Sequence, residues 1–285
     1  MSVSATASTA DTPAPFEVRR LTKHIGGEVT GLDLSHPISA GTAAALRKAW
    51  LEHQILVFRV QTLSDTDQVS FARLFGEPVG SRAMQQANPN VMLISNVREN
   101  GKVIGQLPDG EMQFHADSVY IERPLMGAIL HSVEVPSTGG NTKFASTYAA
   151  YDLLSRDEKR RLSGMTALNA FDYATQVRTG KFDASKAPHH VHPVIRTHPE
   201  TGRKGIFVNR LMTQSIVGLP AKESDALLEQ LWALCERAEH TYEHVWRVGD
   251  VLLWDNRCTQ HARTDFPAGE RRLLRRVGIQ GDKPY

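Results

Sequence analysis

A chain of 285 residues, 41% hydrophobic and 22% charged, is long enough for one elaborated globular core. Its net charge of +2 gives no case for bulk nucleic-acid binding or a membrane-surface role. No apolar run approaches the roughly 20 residues of a membrane-spanning helix. Two cysteines do not make a disulfide framework, so a reducing cytoplasm is the expected setting.

The opening stretch MSVSATASTADTPAP lacks the basic and apolar regions of a secretory signal. Its small, polar, proline-containing composition predicts a disordered tail over residues 1–15, ahead of a single domain over 16–285. Residues 16–34 alternate around Gly26-Gly27 and predict a hairpin of strands. Thr42 to His53 predicts a helix and Ile55 to Val60 a short buried strand. Ser64 caps a helix running to about Phe75, which Gly76 ends. Strands follow at Val91 to Val97 and Met126 to Val135, with PSTGGNT as the next turn. Thr147 to Ser163 reads as helical, and Leu219 to Glu239 as the strongest helix, with Pro220 near its start. His240 to Arg247, Val251 to Asp255 and Leu273 to Gln280 return to strands. Gly80 to Pro89, Arg98 to Gly110 and Phe171 to His190 fit no element and read as lids or binding loops. Strands through the middle and end, with helices outside them, point to a mainly β fold, a sandwich or jelly roll. A homo-oligomer is left open.

His115-Ala116-Asp117 lies in the strand-like stretch QFHADSVY. Residues i and i+2 of a strand share a face, so both side chains can aim into one cavity. Alone, the motif reads as well as a histidine on a strand face with an unrelated aspartate after it. A site of two histidines and one carboxylate needs a second histidine. GDVLLWDNRCTQHARTDF offers His261, just beyond an apolar strand that Asp255-Asn256-Arg257 breaks. His24, His36 and His53 lie in the N-terminal layer, His189 and His190 in a long loop, and His198 in a hairpin turn. His192 reads as a structural hydrogen-bonding residue. In ERRLLRRVGIQ, Arg272 and Arg276 stand four apart and share a strand face with Leu274. If that face is interior, the pair needs anions; if it is exposed, it does not. Trp254 reads as core, and Phe207 and Asn209 as core or pocket lining. Cys258 lies near His261, but nothing else supplies the elements of a hydrolase.

HxD at residue 115, PSTGGNT, HPVIRTHPETGRKGIFVN, WDNRCTQHA and RRLLRRVGIQGDKP occur in this order. With them the chain, from about Val18 onward, resembles the taurine dioxygenase family of Fe(II)- and 2-oxoglutarate-dependent oxygenases. The resemblance implies a double-stranded β-helix, a form of jelly roll with flanking helices. It implies Fe(II) held by His115, Asp117 and His261, with Thr142 and Arg272 on the distal carboxylate of 2-oxoglutarate. It puts Arg276 on the substrate's anionic group. The implied reaction uses O2, turns 2-oxoglutarate into succinate and CO2, and hydroxylates a C–H bond. Ser81, Met84 and Glu111 replace the histidine, tyrosine and asparagine that bind taurine, so the expected substrate is another small organic anion. The alternative is a jelly-roll binding protein that keeps the metal site without turnover.

Overall fold

The computed structural model describes residues 15–80, 88–107, 110–171 and 187–285. The larger sheet runs, in spatial order, Glu17–Arg20, Gly27–Thr30, Ile55–Phe58, Val251–Asp255, Gly127–Glu134, Leu273–Ile279 and Pro78–Val79, with Met92–Ser95 also pairing Leu273–Ile279. Among the described residues, only the pairing of Gly27–Thr30 with Ile55–Phe58 is parallel. The smaller sheet runs Thr241–His244, Thr142–Ser146, Thr259–Arg263 and Met112–His115. A separate three-stranded sheet runs His189–Pro193, Thr166–Ala170 and Thr213–Ile216.

Side-chain alternation explains why much of each central strand is apolar on both faces. Leu252, Trp254, Ala128, Leu130 and Leu274 pack with Phe144 of the smaller sheet, filling the space between the sheets. Their neighbours Val251, Leu253, Ile129, Val277 and Ile279 face outward onto Leu46, Trp50, Phe71 and Ala72 of the two N-terminal helices. A strand covered on both faces tends toward a near-continuous apolar run. Each large side chain buried this way contributes about 1.5–3 kcal/mol. Leu274 on the inner face turns Arg276, two residues on in the same strand, inward, and Arg272, just before the strand, is also buried.

Most expected elements are present. Ser64 caps the helix Asp65–Arg73 through a reciprocal capping box with Asp67. The first hairpin, Glu17–Arg20 with Gly27–Thr30, forms as expected. Three expectations need correction. Thr147 to Ser163 is two helices, Thr147–Leu153 and Arg156–Leu162, because Ser155 and Glu158 form a capping box that starts the second. The turn PSTGGNT ends before Thr142, since Thr142–Ser146 is a strand held between two partners. Arg98 to Gly110 includes a short ribbon, Arg98–Glu99 with Lys102–Val103. The expected tail, and most of the loops at Gly80 to Pro89 and Phe171 to His190, fall outside the described residues. Among those described, no helix is long and apolar enough to cross a membrane.

Candidate active site

Two neighbouring strands of the smaller sheet bring the histidines together. His261 belongs to Thr259–Arg263, where a turn beyond the strand had been expected, and it pairs across the ladder with His115. Their ring centroids are 4.1 Å apart. Asp117 follows where the chain turns out of its strand, with Ser118 next at φ +60°. His261 Nε2 lies 4.0 Å from Asp117 Oδ1. Ligand atoms of His115, Asp117 and His261 all fall within 4.8 Å of one another, close enough to share one metal ion.

The charge states suit a cation. Burial lowers the pKa of His115, and burial together with His115 lowers His261 to about 3, so both imidazoles are neutral. Burial by itself would raise Asp117, but Arg276, His261 and His115 outweigh it and hold the carboxyl at about 2. His115 Nδ1–H donates to the Gln113 carbonyl at 2.9 Å, which leaves Nε2 for a metal.

Asn256 fixes the turn. Its side-chain Oδ1 accepts from Asp117 N–H at 2.7 Å, and its Nδ2 donates to the carbonyls of Asp117 at 3.0 Å and Leu125 at 2.8 Å. Asn256 is fully buried at the corner after Val251–Asp255. Asp255 beside it accepts from both Arg257 and His198. Burial opposes ionisation of Asp255, yet Arg257 and His198 hold its carboxyl well below the ordinary range.

A second cluster, His198, Asp255 and Cys258, also has its ligand atoms close together. It is a structural network. His198 Nδ1 accepts from the N–H groups of Glu200 and Thr201 while Nε2 donates to Asp255, so neither nitrogen is open. Burial pushes the Cys258 thiol far up, which also removes the Cys–His nucleophile.

Arg272 is buried against the glycine turn. Its Nε donates to the Gly140 carbonyl at 3.2 Å, and its Nη1 has no hydrogen-bond partner. Burial, then the charge of Arg263, pulls its pKa down to about 9. A buried guanidinium with an open donor fits an anion such as a carboxylate. The turn needs its glycines. Both have positive φ, and a Cβ would lie 2.2 Å from the Asp265 carbonyl oxygen at Gly139 and 3.2 Å from Arg272 Nε at Gly140. Thr142, two residues on, is buried, and its Oγ1 accepts from Trp246 Nε1–H at 3.0 Å.

Arg276 reaches the triad itself, with Nη2 donating to Asp117 Oδ2 at 2.6 Å and Nη1 lying 4.0 Å from Met92 Sδ. Glu111 is exposed just before the strand Met112–His115, and Ser81 and Met84 lie outside the described residues. Trp254 is core, as expected, and its ring also backs His261 at 5.0 Å. Phe207 joins the apolar cluster of Ala116, Val119, Leu211 and Met212 around the HxD turn. Asn209 closes its own turn by accepting from Met212 N–H. His192 donates to the Ile121 carbonyl, a structural bond as expected. Sequence reasoning missed Asn256 and Trp246. The signal available for Asn256 was its place in the polar run Asp255-Asn256-Arg257 that ends an apolar stretch.

The family model for taurine catabolism dioxygenase TauD, TfdA family, matches residues 17–277. The (S)-phenoxypropionate/alpha-ketoglutarate dioxygenase of Sphingobium herbicidovorans is 34% identical over 94% of this chain and 96% of its own. The alpha-ketoglutarate-dependent sulfate ester dioxygenase of Pseudomonas putida is 30% identical over 97% of this chain and 93% of its own. The crystal structure of a taurine dioxygenase from Burkholderia xenovorans superposes with a TM-score of 0.81 at 31% identity, covering 95% of this chain and 92% of that one. A jelly roll with two histidines and an aspartate at one end thus defines a 2-oxoglutarate-dependent dioxygenase, an oxidoreductase that works with Fe(II) and O2. The chain belongs to the TauD/TfdA family.

Proposed function

We propose that the enzyme hydroxylates a C–H bond of a small organic anion, with His115, Asp117 and His261 holding the iron. The observation that carries this reading is the donor set of two neutral imidazoles and an ionised carboxylate, beside a buried Arg272 whose Nη1 is unmatched. Bound Fe(II) supplies the redox chemistry of O2 activation and of 2-oxoglutarate decarboxylation to succinate and CO2. The chain's own residues do the positioning. Arg272 and Thr142 hold the distal carboxylate, which leaves the keto acid end to face the triad. The packed inner strands keep water out, and Arg276 presents positive charge to the substrate beside Asp117.

The substrate proposed is an aryloxyalkanoate or an alkyl sulfate ester, the classes named for the two relatives above. The apolar cluster beside the HxD turn, with Tyr120 and Phe171 stacked at 5.5 Å, supports an apolar body behind the charged group. Taurine is disfavoured by Ser81, Met84 and Glu111. The near-neutral chain fits a small-molecule substrate, and two buried free thiols fit a cytoplasmic enzyme.

The test is succinate formation with Fe(II), 2-oxoglutarate and a panel of aryloxyalkanoates, alkyl sulfates, sulfonates and neutral analogues. An aryloxyalkanoate or alkyl sulfate should stimulate most, and Arg276→Ala should raise its KM with the KM for 2-oxoglutarate little changed. A neutral or cationic best substrate would refute the anion assignment, and no substrate-stimulated decarboxylation across the panel would refute the substrate class.

A further inference from the structure

Thr142 donates one hydroxyl proton and can accept at its lone pairs, so its usefulness to a carboxylate depends on which way the O–H points. Trp246 settles that. An indole N–H only donates, and Nε1 of Trp246 lies 3.0 Å from Thr142 Oγ1, so the threonine oxygen must accept there. Its own proton is then directed away from Trp246. Both side chains are buried, at 4% and 6% exposure, so no bulk water competes for that lone pair.

The indole is itself held in place. His244 packs edge-on against Trp246 with centroids 4.5 Å apart. Its Nε2 bonds Asp250 Oδ2 at 3.1 Å and its Nδ1 bonds the Tyr242 hydroxyl at 3.1 Å. Asp250 also accepts from Arg59 and from Arg247 N–H. Thr142 sits opposite His244 in the ladder, so the strand carrying His244 and the strand carrying Thr142 share this arrangement. Two residues before Thr142, the Gly140 carbonyl accepts from Arg272 Nε and so fixes the guanidinium whose Nη1 is unmatched.

We infer that Trp246 is a positioning residue for 2-oxoglutarate, which orients the Thr142 hydroxyl so that its proton is presented to the distal carboxylate beside Arg272. The inference rests on the reading of Thr142 and Arg272 as the carboxylate site. Phenylalanine at position 246 keeps an aromatic ring in the space, though a smaller one, and removes the N–H. The hydroxyl then rotates freely, and binding the carboxylate must order it again.

The experiment titrates 2-oxoglutarate into Mn(II)-loaded protein by calorimetry and measures KM and kcat for 2-oxoglutarate in the Fe(II) enzyme. Trp246→Phe should weaken 2-oxoglutarate about threefold to tenfold, the range one net hydrogen bond accounts for, with kcat unchanged. Trp246→Tyr fills more of the space with no donor at the indole nitrogen's place, and should behave alike if Trp246→Phe folds poorly. Thr142→Val should weaken binding by itself, and adding Trp246→Phe to it should have no further effect. A purely packing role for Trp246 would instead give additive losses, or a fall in kcat with 2-oxoglutarate affinity intact, and either result overturns the inference. If Thr142→Val alone left 2-oxoglutarate affinity unaltered, the carboxylate reading of Thr142 would fail first and the role of Trp246 with it.

Discussion

Asp117 sits on a turn, and a turn by itself does not hold a carboxylate to the tolerance a metal needs. Asn256 supplies that tolerance with three hydrogen bonds, two of them to the backbone of Asp117. Asn256→Ala would leave the N–H and C=O of Asp117 without these partners while the ligand set stays intact. Metal affinity should fall about 10- to 100-fold, the usual effect of losing a partner that orients a ligand. Mn(II) titration followed by calorimetry checks it, with far-UV circular dichroism to show that the fold persists; unchanged affinity in a folded variant would remove Asn256 from this role. Alanine at His115, Asp117 or His261 should go further and abolish turnover in a folded protein, and normal activity in any one of them would exclude that residue from the site. Arg272→Lys tests the other end of the site. Lysine cannot reproduce the planar fork of donors, so the KM for 2-oxoglutarate should rise about tenfold or more while the KM of the primary substrate changes little. The reverse pattern would exchange the assignments of Arg272 and Arg276.

The glycine turn before Thr142–Ser146 works as one unit with the strand it starts. Gly140 has φ +63°, and a Cβ there would meet Pro136 Cγ at 3.0 Å and Arg272 Nε at 3.2 Å. Gly140→Ala should therefore cost about 1–2 kcal/mol of stability from backbone strain and also raise the KM for 2-oxoglutarate by displacing Arg272. Denaturant unfolding and 2-oxoglutarate kinetics measure the two effects, and a destabilised variant with wild-type kinetics would uncouple the turn from Arg272. PSTGGNT read as a turn from composition alone, yet the strand following it was not legible. Thr142–Ser146 has no alternation of its own, because Phe144, Ala145 and Ser146 are all buried between two partner strands. Thr259–Arg263 was hidden for the same reason: all five of its residues are buried, polar ones included, through bonds that only the assembled fold provides. By contrast, local spacing made His115, Asp117 and His261 candidates, and the family resemblance joined them as the implied ligand set. Their meeting depends on cross-strand register, which local pattern does not encode. Arg272 and Arg276 were expected on one strand face; Arg276 lies in Leu273–Ile279 but Arg272 just before it, and the contact of Arg276 with Asp117 joins residues 159 positions apart and had no local signal.

Taken over the whole chain, the buried histidines tie folding to pH. His192 is the clearest case outside the metal site. It donates from Nε2 to the Ile121 carbonyl at 2.9 Å, which joins the three-stranded outer sheet to the segment just after Asp117. Burial lowers its pKa from the ordinary 6.5 to about 4, and the positive charge of neighbouring residues adds to that. In the unfolded chain the ring gains its proton near 6.5, whereas the folded chain resists until about 4. Between those values the unfolded state binds more protons, so stability falls as the pH is lowered. The contribution is complete above 6.5 and lost once the pH passes below about 4. One such group gives a slope of up to about 1.4 kcal/mol per pH unit. His53, His131 and His244 are shifted in the same direction and steepen the fall. His192→Gln keeps an N–H donor but cannot titrate. Its stability deficit at pH 7 should therefore shrink, or reverse, as the pH drops toward 5. Urea unfolding of both proteins at a series of pH values between 7 and 5 measures the gap directly. A gap that stays constant across the series would show that His192 does not carry the acid sensitivity.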